Sequence, residues 1–490
     1  MTWKPRPKDI KSYLHFDADI SESDLVAYVT DPTKVLKHPF FPLIRFYEKW
    51  EKFPKKGQPR KTKVRPLRYA ARKDAAIFAY YRTVFSKYYE EELERRGIST
   101  VPIAYRKIRN FKNTGKCNID FAKDAFDFIR EIGDADVTVV DISSYFENLD
   151  HAKIRHTIEL VLHRPLAPHE EAVLKALTNY CVVDRDAVYD RLGMFEKGRG
   201  TNRKEKRQRK IDKLRASRKR QMCTPNEFRE KICGGDRSLP SLVQKNNATY
   251  GIPQGTPISD LIANIYLIDF DQQLHRWARK RGGMAFRYSD DIIVILPRVN
   301  GQPFDAAKIY LQDAIKRHGD RLKIQDKKVA IGRFIRTSPN SQVYTQIFGQ
   351  ASKNGLEYLG FEFDGTKVEI KDATLSNAWR KLKRRTYGWS KKFVKRYRAR
   401  GDNWLKSNAQ INFELRKIIR TVSFSEKDFR KWTFLQYIKR ANRAFSGYNV
   451  SFHSQTKKYK SEAMSIMIKA FDKAVARHGY DACIRRNIPL

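Results

Sequence analysis

Residues 286–296 read Phe286-Arg-Tyr-Ser-Asp-Asp-Ile-Ile-Val-Ile-Leu296. Two apolar runs, Met284–Tyr288 and Ile292–Leu296, flank Ser289-Asp290-Asp291, the pattern of a β-hairpin with two carboxylates at its tip. Adjacent aspartates repel each other, and a tight turn needs only one of them. A hard cation such as Mg²⁺ relieves the repulsion through carboxylate oxygens and leaves positions open for phosphates. On its own, an Asp-Asp turn is more often plain turn chemistry.

A third carboxylate changes that balance, because two ions about 3.5–4 Å apart need one more acid between them. Val137-Thr-Val-Val140 is a β-branched run that ends at Asp141, which places Asp141 at the C-terminal end of a buried strand. Between these acids lies the loop Gly251-Ile-Pro-Gln-Gly-Thr-Pro257. Helical spacing of Ile258, Leu261, Ile262 and Ile265 follows it, with Ser259 and Asp260 at the helix start. A further strand pair is expected around Leu356–Phe363, with Asp364-Gly365 as its turn. From about residue 373 the pattern is mainly helical, so the expected class is α+β with a helical C-terminal part.

Composition bounds the partners. The chain has 490 residues with 99 Lys plus Arg against 55 Asp plus Glu, a formal net charge of +44, which favours a polyanion. With 41% hydrophobic residues a sizeable core is still available, so a disordered basic tail is excluded. Residues 197–220 carry 13 basic residues and two acids, almost without apolar residues. They read as a solvated loop or as a helix that a polyanion must hold. Residues 379–400 carry 11 basic residues and no acid, interleaved with Trp379, Tyr387, Trp389, Phe393 and Tyr397. That stretch reads as a helix against a nucleic-acid backbone, with a solvated helix face over buried rings as the bland alternative. The five cysteines show no C-x-x-C spacing, which argues against a zinc finger or disulfide framework and for reduced thiols in a cytoplasm. No secretory signal or membrane span is expected.

Taken together, the motifs resemble those of the reverse transcriptases. VDISSYFENLDH (140–151), YGIPQGTPISDLIANIYL (250–267) and FRYSDDIIVIL (286–296) match three catalytic motifs in family order. KVRPLRYAARKD (63–74) looks like the fingers segment, LKIQDKKVAI (322–331) like the fourth motif and LEYLGFEFDG (356–365) like the primer grip. AYRKIRN, the helix-like segment before it and YLGFEFDGTKVEIKDATLS look most like the prokaryotic defence-associated (abortive-infection and unknown-group) enzymes, some of which work with a non-coding RNA. Arg68-Tyr69-Ala70 stands where group-II-intron relatives usually have Gly-Ile-Pro, and the paired motifs of retron enzymes are missing.

The resemblance implies a right-hand polymerase: an N-terminal extension (1–40) packing on the fingers, fingers and palm (41–365, with the 197–220 insertion), and a helical thumb with C-terminal extension (366–490). It implies RNA-directed DNA synthesis on two Mg²⁺ ions held by Asp141, Asp290, Asp291 and the carbonyl of Ile142. Arg65 and Arg72 (or Lys73) would meet the triphosphate, and Gln254 and Gly255 the nascent base pair. Lys328 would donate a proton to pyrophosphate. Tyr145 would be the aromatic gate against a ribose 2′-hydroxyl, a plain core aromatic being the other reading. Arg203, Lys204 and Arg207 of the insertion and Arg384, Arg385, Trp389, Lys392 and Arg396 of the later basic stretch would bind nucleic acid. Implied partners are an RNA template (a cognate non-coding RNA), a DNA product and deoxynucleotides, in the cytoplasm, with no membrane; a homo-oligomer is compatible. The insertion could instead contact a neighbouring subunit or be disordered. Untemplated synthesis by the same carboxylates, or a silent RNA-binding scaffold, are the rival functions.

Overall fold

In the computed structural model, described residues are 3–51, 62–110, 113–194, 211, 214, 217, 219–339, 341–349, 355–398, 434–457 and 459–477. Most of the basic insertion, Arg203, Lys204 and Arg207 included, lies outside them.

The expected hairpin forms, with strands Met284–Tyr288 and Asp291–Pro297, so Asp291 opens the second strand rather than sitting in the turn. They belong to a five-stranded antiparallel sheet in the order Met284–Tyr288, Asp291–Pro297, Ala135–Asp141, Ala330–Ser338, Ser341–Phe348. Both faces are covered, which is why Ile292–Leu296 is a continuous apolar run instead of an alternating one. Val140, Ile292, Val294 and Leu296 face one core, shared with the helices Arg72–Arg95, Ser259–Tyr266 and Ile268–Arg279. Val137, Ile293 and Ile295 face the other, shared with the helix Asn118–Ile132. Period two along the strands therefore assigns odd-numbered Asp141 and Asp291 to the second face.

That second core joins the sheet to the C-terminal part. Phe126 stacks on Phe363 at 4.9 Å, Phe363 on Phe334 at 5.4 Å, and Phe361 lies 5.2 Å from Phe445. Leu356–Tyr358, Phe361–Phe363, Lys367–Ile370 and Asn449–Val450 make a sheet of their own. The expected strand pair is thus two successive hairpins. Leu359-Gly360 turns the first, and Asp364 turns the second by accepting from the Thr366 and Lys367 N–H groups at 2.9 and 2.6 Å.

A third sheet runs Thr62–Tyr69, Leu43–Glu51, Cys181–Asp184, Gln244–Lys245. The N-terminal segment packs beside it. Leu14 and Phe16 share a core with Ile44, Val183 and Met222, and Ile211 and Leu214 of the insertion pack against it. The late basic stretch lies in the helix Asp372–Arg398, whose Leu382, Thr386, Ser390 and Val394 are buried at four-residue spacing. Arg384, Arg385, Trp389 and Lys392 are on its exposed side, and Arg396 lies in the same helix. Among the described residues no helix is long and apolar enough to cross a membrane.

Candidate active site

The sheet register does what spacing alone could not establish: Asp141 pairs directly with Asp291 across the two central strands. Residues opposite one another in such a ladder have Cβ atoms about 4.5–5.5 Å apart, and like charges there are destabilising. Asp290, at the turn, accepts the Ile142 N–H at its carbonyl (2.9 Å), which pins the end of the Asp141 strand to the turn. Burial first, then Asp290 and Asp141, push the Asp291 carboxyl up to about 7. Burial also raises Asp290, with Asp141 adding to it. The fold holds three carboxyl groups together against their repulsion.

Lys328 offsets part of this. It ends the short helical turn Asp326–Lys328, and its Nζ lies 2.7 Å from Asp141 Oδ1. Asp141 and Asp291 open on a cleft of about 540 Å³ bounded also by Tyr288, Lys328, Tyr358 and Lys371. Among the described residues, no group of three or more His, Cys, Asp or Glu is placed to hold a metal ion as the side chains stand. Mg²⁺ does not require three protein ligands: it keeps several waters and takes one or two carboxylates plus substrate phosphates. The donor set and its mutual repulsion fit that ion.

Behind the turn lies a residue that the motif reading passed over. Arg287 is wholly buried, and its guanidinium makes two 2.6 Å bonds to the equally buried Asp271. It also donates to the Ser289 carbonyl at 3.1 Å and to Asn264 Oδ1 at 3.2 Å. Ser289 has φ +63°, a left-handed backbone that a non-glycine residue adopts only under outside constraint. The Arg287 bond to its carbonyl is part of that constraint. A charged residue inside the apolar run 284–288 was the available signal.

Several expected roles need correction. Tyr145 is not at the surface of the site: its ring is buried and its hydroxyl donates to the Ala263 carbonyl, so the core reading holds. Burial drives its phenol well above the ordinary value. The next residue, Phe146, is only half-buried, and its carbonyl accepts from Ile252 N–H (2.8 Å) in the loop leading to Gln254. Arg72 is buried as well, donating to the Asp17 carboxylate at 3.3 Å and ion-paired with Asp19. Lys73 is turned the same way, with its N–H on Asp17 and its Nζ over the Tyr28 ring. The Arg72 guanidinium is thus committed to the N-terminal segment. Arg65 is exposed on the strand Thr62–Tyr69.

Gln254 and Gly255 meet the strand Thr62–Tyr69. The Gln254 carbonyl accepts from Arg68 N–H at 3.0 Å, and a Cβ on Gly255 (φ +119°) would stand 2.3 Å from the Arg68 carbonyl oxygen. Only glycine fits that approach. Asp260 accepts the Leu261 N–H at 2.9 Å in the first turn of its helix and takes a two-point ion pair from Arg82 at 3.0 and 3.1 Å.

No family profile matches the chain, and no curated protein does. Solved structures that resemble it include telomerases. Apo telomerase from Candida tropicalis, truncated from its C-terminal domain, gives a TM-score of 0.36 at 10% identity, over 68% of this chain and 56% of that one. Telomerase from Candida albicans with a fragment of telomeric RNA gives 0.36 at 11% identity, over 94% and 65%. The C. tropicalis enzyme with the same type of fragment gives 0.34 at 12%, over 96% and 68%. The chain thus spans little more than half of the first of these, and likenesses at this level carry no argument about its activity.

Proposed function

We propose that this chain is an RNA-directed DNA polymerase. The observation that carries the reading is Asp141 facing Asp291 in register, both lining an open cleft, with Asp290 at the adjoining turn. In this reading the five-stranded sheet is the palm, the sheet containing Arg65 belongs to the fingers, and the helix Asp372–Arg398 is the thumb. The first 40 residues brace the fingers through Asp17 and Asp19 on Arg72.

Asp141, Asp290, Asp291 and the Ile142 carbonyl would hold two Mg²⁺ ions. When bound, these lower the pKa of a primer 3′-hydroxyl and neutralise the triphosphate. Arg65 steadies the triphosphate by charge-assisted hydrogen bonds. Lys328, released from Asp141, carries a proton at Nζ toward the departing pyrophosphate. Arg384, Arg385, Trp389 and Lys392 present charge and a ring to the duplex from the exposed side of their helix. A cognate non-coding RNA as template, and a role in defence against phage, complete the proposal on the strength of the motif resemblance.

With Tyr145 inside the core, Phe146 becomes the aromatic that meets the sugar. Phe146→Ala is expected to raise ribonucleotide use at least tenfold relative to deoxynucleotides in primer extension, whereas Tyr145→Phe leaves the ratio unchanged. The opposite pattern would return the gate to Tyr145.

The decisive experiment is purification from a native host, followed by sequencing of the nucleic acids that come with the protein. One defined RNA with complementary DNA supports templated synthesis and names the template. A homopolymer or random DNA means untemplated addition. RNA without DNA, in the presence of Mg²⁺ and deoxynucleotides, means a scaffold.

A further inference from the structure

One exposed ring beside the catalytic turn is held by more anchors than its own packing explains. Tyr105 is 46% exposed and has φ +62°, a left-handed backbone that is unfavourable for a non-glycine residue. Its neighbours are all fastened. Val101 and Ile103 pair with the backbone of Arg287 at 2.8 and 3.0 Å. The Ala104 carbonyl accepts from Asn264 at 2.8 Å, and the Tyr105 carbonyl from Arg82 at 3.2 Å. Arg82 is the residue that Asp260 holds. Arg106 is clamped by Glu90 and by the Pro102 carbonyl at 2.7 Å. One of these anchors, Arg287, also braces the catalytic turn through the Ser289 carbonyl, and another, Asn264, is bonded to Arg287.

The ring sits 6.3 Å from Tyr288, with Ser289, Asp290, Asp260 and Arg65 as its charged and polar neighbours. It therefore stands beside the strand that leads into the catalytic turn. Tyr105 does not bound the 540 Å³ cleft, although Tyr288 does. A strand whose terminal hydroxyl must reach Asp141 and Asp291 uses that cleft, since both carboxylates open on it. The opposing strand then falls on the Tyr105 side of the turn. A rigidly held, half-exposed ring is suited to stack on a base there, because every base has a π-face.

We infer that Tyr105 is a nucleic-acid contact, its ring supporting the RNA template base opposite the incoming nucleotide. The inference rests on the polymerase reading, but its test does not need catalysis. An RNA template carrying 2-aminopurine at the templating position, annealed to a DNA primer, is titrated with the full-length protein without metal or nucleotide. Wild type and Tyr105→Phe are expected to quench the probe alike. Tyr105→Ala is expected to bind the duplex about tenfold more weakly, the scale of one base–aromatic stack, without quenching. Tyr105→Asn, which suits a left-handed backbone, removes the ring without backbone penalty and is expected to match Tyr105→Ala.

Unchanged binding and quenching in Tyr105→Asn, with a wild-type melting curve, would overturn the inference. Equal losses in Tyr105→Phe would also overturn it, since the hydroxyl and not the ring would then be responsible. If the wild type incorporates no nucleotide yet quenching still depends on the ring, the polymerase reading fails and the contact stands. If it incorporates normally and the variants quench as wild type, this inference alone fails.

Discussion

Replacing Asp290 and Asp291 together by alanine is expected to lower nucleotide incorporation by about 10³-fold or more while leaving RNA binding nearly intact. The size follows from the chemistry: charge neutralisation at the reacting phosphate contributes several kcal/mol, and each 1.36 kcal/mol is about tenfold in rate. Binding depends on a different set of side chains, the basic face of the helix Asp372–Arg398 among them. The milder Asp291→Asn should show a second effect. Asp291 is buried opposite Asp141 and its carboxyl is raised to about 7. In the unfolded chain it ionises near 3.9. The folded protein therefore binds the extra proton between those two values, and stability falls as pH rises through that window. Asn carries no charge to repel. The metal-free variant is expected to melt a few degrees above the wild type, with the gain fully developed only above about pH 7. Thermal melts at pH 5 and pH 8 check this, and an equal gain at both would sink the repulsion argument. Surviving incorporation in the double alanine variant would remove the metal assignment altogether.

Arg287→Met is expected to destabilise the protein by about 3–5 kcal/mol, because Asp271 is left as a buried, uncompensated charge. The double variant Arg287→Met, Asp271→Leu removes both charges and is expected to recover most of that loss. Activity should not follow. Without Arg287 the Ser289 carbonyl loses its 3.1 Å donor, and the turn carrying Asp290 loses part of what holds its left-handed backbone. Single-turnover incorporation by the double variant is expected to be slower by tenfold or more at saturating template. The split between melting and turnover separates a positioning role from a purely structural one. A double variant that is both stable and fully active would show that the pair only fills the core.

The hairpin with its acids, the strand before Asp141 and the helix after Pro257 were legible because each rests on local pattern: two apolar runs about an acidic turn, β-branching, and a loop followed by helical spacing. What local pattern cannot supply is register. Nothing in either segment says that Asp141 meets Asp291, since that depends on how two distant strands align. Arg72 was misjudged for the same reason: Asp17, which claims it, lies 55 residues upstream. Tyr145 was ambiguous from the start. It opens a single helical turn, Tyr145–Glu147, whose geometry sends one ring inward and leaves the next half-exposed. In a chain this basic, Arg82 and Arg287 carry no statistical weight, yet the first holds Asp260 and the second holds the turn. For Gly255, placed by its motif at the nascent base pair, the close approach visible in the fold is to the Arg68 carbonyl, which no local pattern announces.

The strand order of the central sheet also bears on how the protein is made. Ala135–Asp141 sits in the middle, yet both its partners, Asp291–Pro297 and Ala330–Ser338, are translated long after it. At about 5–20 residues per second, the ribosome leaves this β-branched segment without its partners for roughly 8–30 s. During that time it is a sticky, unpaired edge, and pairings of such sequence separation are slow to form even when the chain is complete. Production at low temperature, with slower initiation or with added chaperone capacity, therefore acts on the yield of this sheet before any property of the finished molecule matters.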